Sequence, residues 1–268
     1  MKKIIAAALL SFSLNSFADN APLWLRFCSI SPDGQTIAFS YKGDLFSVPV
    51  NGGIAKQLTT NPAYDAYPIW SPDGQKIAFA STREGSMDIY LMNKNGGVPK
   101  RLTTNSGSEI PMAFTDNNHV LFSSAIMPTA KSIFFASGTF PQTYEVNIDA
   151  SRPRLYSPIT MCDANVKSNG DILYHDVKGY EDNFRKHHRS PVTRDIWLYS
   201  KGNYTKLTNF DGEDRTPVWG NNTNEYYYLS EEDGTFNVYK RNIDGSGKKQ
   251  LTFHKANPVR FLTVANNG

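Results

Sequence analysis

The tract Pro68-Ile69-Trp70-Ser71-Pro72-Asp73-Gly74 decides how the rest of the chain is read. Proline presets φ, aspartate can bond its own backbone and glycine accepts positive φ, so this tract reads as a strand running into a tight hairpin. It returns as Ser31-Pro32-Asp33-Gly34 and, more loosely, as Pro111-Met112-Ala113-Phe114-Thr115-Asp116-Asn117, Pro217-Val218-Trp219-Gly220-Asn221 and Pro258-Val259-Arg260-Phe261. A second marker, Lys/Arg-x-Leu-Thr, closes the units at Lys56-Gln57-Leu58-Thr59, Lys100-Arg101-Leu102-Thr103, Lys206-Leu207-Thr208 and Lys249-Gln250-Leu251-Thr252. Two independent markers recurring in one order, at about one propeller blade apart, define a repeat architecture.

Around Trp70 the pattern predicts strands at 67–71, 76–81, 88–93 and 99–103, with Gly96-Gly97 turning the chain before the last. Ile77, Ala78, Phe79 and Ala80 are apolar in succession, so both faces of that strand must be buried. The fourth strand carries lysine and arginine, as an exposed edge does. Four-stranded antiparallel sheets buried on both faces stack around an axis as a β-propeller. The expected fold is all-β: a β-propeller with five complete blades at 25–59, 66–103, 110–156, 160–208 and 216–252. Residues 259–266 are expected to begin a sixth first strand, which makes this a truncated six-bladed ring, a fragment of a longer protein.

Working outward, Lys2-Lys3 precedes an apolar run from Ile4 to Leu14 and then Asn15-Ser16-Phe17-Ala18. That is the layout of a secretory signal peptide, and the run is about half the 20 apolar residues a membrane span needs. The expected organisation is a signal peptide at 1–18 and a propeller domain at 19–268, secreted to the periplasm. The 268 residues are 40% hydrophobic, 20% charged and 13% aromatic, which excludes disorder and fibre. With Lys2 and Lys3 removed, 28 basic residues become 26 against 25 acidic, a net of +1, so nucleic acid is not an expected partner. Nor is a membrane after signal cleavage.

The P-x-W-S-P-D-G, I-A-F, I-Y and L-T tract resembles the repeat shared by TolB, the prolyl oligopeptidase propellers and tricorn protease. More specific is Tyr180-Glu181-Asp182-Asn183-Phe184-Arg185-Lys186-His187-His188, running through Ser190-Pro191-Val192-Thr193-Arg194 into Asp195-Ile196-Trp197-Leu198-Tyr199. That stretch resembles the N-terminal six-bladed propeller of tricorn-like serine peptidases, and the opening Trp24 to Phe46 fits as well. The resemblance implies a non-catalytic propeller that gates or sorts peptides in proteolysis. It also implies partners within the same polypeptide, namely a second propeller, a PDZ module and a peptidase core holding the catalytic residues. The alternative is a periplasmic TolB-like propeller that acts as a protein-binding scaffold.

The residues themselves offer no catalytic set. There is no G-x-S-x-G elbow, Gly245-Ser246-Gly247-Lys248 is too short for a phosphate loop, and no His-Glu-x-x-His occurs. His119, His175 and His254 are isolated, and adjacent His187 and His188 would point apart if extended, so neither a metal nor a cofactor is expected. Trp70 and Trp219 hold the same place in their units and read as wedges between blades. Glu225-Tyr226-Tyr227-Tyr228 reads as a second strand whose tyrosines fill the space of Ile77 and Phe79. Cys28 and Cys162 fall on first strands of blades that face each other across the axis and should stay reduced.

Two insertions between second and third strands, 125–142 and 177–194, are the candidate binding loops. The first brings Phe134, Phe135 and Phe140; the second brings Lys178, Arg185, Lys186, His187, His188, Arg189 and Arg194 against Glu181 and Asp182. Expected ligands are peptides, through their carboxylates, and the downstream domains, with self-association as a further option.

Overall fold

Ser71 Oγ donates to Asp73 Oδ1 at 2.6 Å and accepts the N–H of Lys76 at 2.9 Å, while Asp73 Oδ1 also accepts the N–H of Gln75 at 3.0 Å. Ser31, Asp33, Gln35 and Thr36 repeat this bonding one unit earlier. Gly34 and Gly74 take φ of 71° and 65°, the left-handed conformation that glycine adopts without strain. The repeated serine and aspartate therefore replace backbone partners that a tight turn cannot supply.

This is a computed structural model, and it describes residues 24–126, 141–179, 190–221 and 224–266. Five four-stranded antiparallel sheets follow one another. Blade 1 comprises β1 (Arg26–Ile30), β2 (Thr36–Tyr41), β3 (Asp44–Pro49) and β4 (Lys56–Gln57). Blade 2 comprises β5 (Asp65–Trp70), β6 (Lys76–Glu84), β7 (Ser86–Asn93) and β8 (Lys100–Arg101). Blade 3 comprises β9 (Ile110–Asp116), β10 (His119–Ser124), β11 (Gln142–Asn147) and β12 (Arg154–Ser157). Blade 4 comprises β13 (Cys162–Val166), β14 (Ile172–His175), β15 (Ile196–Ser200) and β16 (Asn203–Lys206). Blade 5 comprises β17 (Asp214–Trp219), β18 (Glu225–Ser230), β19 (Asn237–Asn242) and β20 (Lys249–Gln250). The first strands β1, β5, β9, β13 and β17 pack in succession and form the inner wall.

The core lies between blades rather than within them. Ala78, Ile89 and Leu102 of blade 2 meet Phe114, Phe122 and Tyr144 of blade 3, and Leu173 and Ile196 of blade 4 meet Trp219, Tyr226 and Tyr228 of blade 5. Trp70 and Trp219 are wedges, as their repeated position implies. Each donates its indole N–H to a main-chain carbonyl of the preceding blade's first strand, Ser29 at 3.0 Å and Asn165 at 3.1 Å.

The Leu-Thr marker is a latch. The hydroxyl oxygens of Thr59, Thr103, Thr208 and Thr252 accept the N–H groups of Leu45, Ile89, Ile196 and Val238 at 2.9 to 3.0 Å. Each ties a fourth strand to the start of the third. The leucine beside each threonine plugs the inter-blade core. Leu58, Leu102 and Leu207 are no more than 8% exposed, whereas Leu251 of the last blade is 38% exposed.

The expected sixth blade is not begun. Residues 259–264 carry no strand, and that stretch is held by single bonds: Val259 N–H to Phe236 O at 2.9 Å, Ile30 N–H to Thr263 Oγ1 at 3.3 Å and Asn266 N–H to Pro32 O at 2.9 Å. A strand is a ladder, and among the described residues no strand pairs with this stretch. Among the described residues there are thus five blades, and this segment is bonded to blade 5 at Phe236 and to blade 1 at Ile30 and Pro32. Cys28 and Cys162 are free thiols on β1 and β13.

Candidate functional site

Four of the five inner strands share a distortion. The ladders of β1, β5, β13 and β17 break between Arg26 and Ser29, Ala66 and Ile69, Cys162 and Asn165, and Arg215 and Val218. At each break one non-glycine residue is left-handed: Phe27 (φ 52°), Tyr67 (φ 55°), Asp163 (φ 47°) and Thr216 (φ 51°). Such a conformation costs about 1–3 kcal/mol for a residue with a Cβ and persists only where packing holds it. Bulges re-aim side chains, and these four meet in two pairs, Phe27 with Tyr67 and Asp163 with Thr216. The Phe27 and Tyr67 ring centroids are 3.9 Å apart, and Phe27 lies 5.2 Å from Phe261 of the returning segment. Thr216 Oγ1 donates to Asp163 Oδ2 at 2.7 Å. Burial raises the Tyr67 phenol, and the carboxylate of Asp163, two blades away, adds to that rise.

Asp163 also neighbours a cysteine and a histidine. Cys162 stands opposite His175 in the β13–β14 ladder, and His175 Nδ1 lies 3.7 Å from Asp163 Oδ2. These are the residue types of a thiol peptidase, but their electrostatics oppose that chemistry. Burial pushes the Cys162 thiol up to about 12, the reverse of an activated nucleophile. Burial also brings His175 down to about 4, so the imidazole is neutral at pH 7. Its Nδ1 accepts the N–H of Thr216 at 3.3 Å, which leaves the ring proton on Nε2. His175 is thus a packing residue that pins the bulge of β17.

Charge pairs flank this wall. Glu213 Oε1 receives Arg194 at 3.1 Å and Arg215 at 3.4 Å, and the Arg215 guanidinium lies 3.9 Å from the centre of the Phe236 ring. On the rim of blade 4, a cavity of about 400 Å³ is lined by Lys178, Ser190, Thr193, Asp195, Lys206 and Phe210 among others. There Lys178 and Lys206 both pair with the buried Asp195, Lys206 at 2.9 Å. Among the described residues, no group of three or more histidine, cysteine, aspartate or glutamate side chains could hold a metal.

The candidate residues Phe134, Phe135, Phe140, Arg185, Lys186, His187, His188 and Arg189 lie outside the described residues, as does the segment 1–18 expected to be a signal peptide. The ends of both insertions are described. Ala125 and Ile126 follow β10, and Lys178 and Ser190 to Arg194 flank the gap between β14 and β15, so both loops leave from second-to-third-strand connections. Sequence reasoning missed the bulge ring, because Phe27, Tyr67, Asp163 and Thr216 share a backbone conformation and no side-chain chemistry. It also did not anticipate the Cys162, Asp163 and His175 cluster, which forms only when β13 and β14 pair.

Comparison with known proteins agrees with this architecture. Tricorn protease homolog 1 of Streptomyces coelicolor is 35% identical over 71 residues, covering 26% of this chain and 6% of that protein. The chain therefore corresponds to a small part of its length. Among solved structures, the crystal structure of the tricorn protease superposes with a TM-score of 0.72 at 20% identity, covering 89% of this chain and 23% of that one. The putative TolB from Agrobacterium tumefaciens gives 0.67 at 16% identity, covering 85% and 80%. Both likenesses are of fold. Residues 22–268 match the tricorn protease N-terminal beta propeller domain, and with five such blades described the chain belongs to that family.

Proposed function

We propose that this chain is the non-catalytic propeller of an exported, tricorn-like serine peptidase, where it receives and sorts peptides and docks the downstream domains. The family match over 22–268 carries the reading. The inner strands support it: they carry paired aromatic rings and one half-exposed carboxylate, and the Cys162 thiol and His175 imidazole beside that carboxylate are held in unreactive forms. Binding without chemistry is what such a wall can do. The two long loops form the second part of the proposal. Arginine engages carboxylates in bidentate fashion while phenylalanine desolvates the contact.

The test is charge reversal of Arg185, Lys186 and Arg189 to glutamate, followed by binding to the downstream domains supplied as a separate chain. Wild-type association should weaken with salt, and the triple variant should bind at least tenfold more weakly while melting as wild type does. Unchanged binding by a folded triple variant would reduce the loops to structural cover. The TolB-like reading, a scaffold that docks a separate protein, draws on the 80% coverage of the Agrobacterium tumefaciens TolB chain. A reading frame that stops at residue 268 would favour it.

A further inference from the structure

We propose that the Phe261 ring is an intramolecular plug on an aromatic site made by Phe27 and Tyr67, and that an aromatic side chain of a peptide displaces it to bind there. This rests on the peptide-receiving reading above and adds which side chain is selected and what covers its site in the free protein.

The site is built despite backbone strain. Phe27 on β1 and Tyr67 on β5 take φ of 52° and 55° at the bulges of their strands, a conformation that bulky side chains rarely adopt. Their ring centroids are 3.9 Å apart, yet both residues are only half-buried. The left-handed residues of β13 and β17, Asp163 and Thr216, are polar and bond each other at 2.7 Å, so the aromatic pair is particular to blades 1 and 2. Phe27 also meets the ring of Phe261, with centroids 5.2 Å apart and planes inclined by 58°, within the range at which aromatic pairs attract. Phe261 thus shows what kind of side chain this pair accepts.

The plug is free to leave. Phe261 is 37% exposed and belongs to a segment that forms no strand. That segment is tied on one side of the ring at Val259, whose N–H donates to Phe236 O at 2.9 Å, and on the other at Thr263, whose Oγ1 accepts the Ile30 N–H at 3.3 Å. Among the described residues, Arg260, Phe261 and Leu262 make no hydrogen bond, so the ring can turn away from Phe27 without breaking one. Leu262 to Val264 are half-buried and Ala265 is buried, which keeps the segment seated while the ring moves. An incoming phenylalanine would then meet the Phe27 surface that Phe261 had covered. Arg26 and Arg260 adjoin Phe27 and Phe261 in the chain and are both exposed, so like charge opposes a lysine or arginine at this place and leaves a neutral ring favoured.

The experiment titrates the purified chain, wild type and Phe261→Ala, with three N-acetylated peptide amides: Ala-Ala-Phe-Ala-Ala and its counterparts with leucine or lysine at the central position. Wild type should bind the phenylalanine peptide about fivefold more tightly than the leucine one, and the lysine one most weakly. Removing the plug removes the closed state from competition, so Phe261→Ala should bind the phenylalanine peptide about tenfold more tightly than wild type does. Phe27→Asn, whose asparagine tolerates the left-handed backbone, should lose the phenylalanine preference. Should that variant fail to fold, the comparison of wild type with Phe261→Ala decides alone. Unchanged or weaker binding by Phe261→Ala overturns the plug. Equal binding of the phenylalanine and leucine peptides by both proteins, or a preference that survives in folded Phe27→Asn, overturns the site while peptide binding itself stands. Failure of every peptide to bind either protein overturns both this inference and the peptide-receiving reading.

Discussion

The indole N–H of Trp219 donates to the main-chain carbonyl of Asn165 at 3.1 Å, and Asn165 returns the link by accepting the Trp219 N–H on Oδ1 at 3.0 Å. Blade 5 is thereby stitched to the inner strand of blade 4 by one residue pair. Trp219→Phe keeps most of the apolar wedge but strands a carbonyl, and it should cost about 1–2 kcal/mol. For a chain of this size that lowers Tm by about 2–8 °C. Thermal denaturation of Trp219→Phe and Trp70→Phe checks this, since the Trp70 bond to Ser29 at 3.0 Å is the equivalent stitch between blades 1 and 2. An unchanged Tm in both would refute the wedge.

A steeper contrast is expected along the repeated leucines. Leu102 is 2% exposed and Leu251 38% exposed, though both occupy the same place in the Leu-Thr marker. Leu102→Ala should cost about 2–5 kcal/mol through lost burial and cavity formation, and Leu251→Ala about 1 kcal/mol or less. Urea denaturation of the two variants distinguishes a repeat read by position from one read by burial. Equal losses would mean that Leu251 is covered in solution.

These two cases also show what was legible in the amino-acid pattern. Turns and latches announce themselves, because Ser71, Asp73 and Thr103 each perform a local bonding task that only a few residue types can do. Tryptophan wedges were legible by repetition. The failure at residues 259–266 arose because a first-strand motif predicts a strand only if a second strand is there to pair with it, and the tract records one side of that ladder. The channel wall was illegible for a different reason: left-handed φ at residues 27, 67, 163 and 216 is imposed by the bulge, and neighbouring blades decide it. As for the loop residues, their chemistry could be read from the chain, whereas their arrangement could not.

Stability should fall as pH rises through neutrality. Glu109 is fully buried, bonded by Ser124 Oγ at 3.1 Å, and burial holds its pKa up at about 8 against an ordinary 4.5. The folded chain therefore keeps a proton that the unfolded chain releases above pH 4.5, so stability declines from about pH 4.5 to about pH 8 and then levels. His175, down at about 4, and Asp214, up at about 6, exert their effects below about pH 6.5. Between pH 6.5 and 8.5 the decline should thus be dominated by the Glu109–Asp88 pair, since burial raises the Asp88 carboxyl as well. Glu109→Gln should flatten Tm across that interval, and a wild-type decline retained in the variant would assign it to another group.

The two thiols should differ in reactivity and remain unlinked. Burial raises both, Cys162 to about 12. Native-state alkylation with iodoacetamide should label Cys28 before Cys162, with both labelled quickly after unfolding. Mass spectrometry without reductant should find no Cys28–Cys162 peptide pair, since the two lie on β1 and β13 in blades that are not neighbours.

The central claim, that this propeller holds peptides without cutting them, is tested most directly by one sample read in two ways. A hexapeptide with a free N-terminus and a C-terminal fluorophore is titrated with the purified chain while anisotropy is followed, and the same mixture is then resolved by chromatography. The account predicts a saturable rise in anisotropy and full recovery of intact peptide. A flat titration would contradict the binding role, and cleaved peptide that persists across independent preparations would contradict the non-catalytic one.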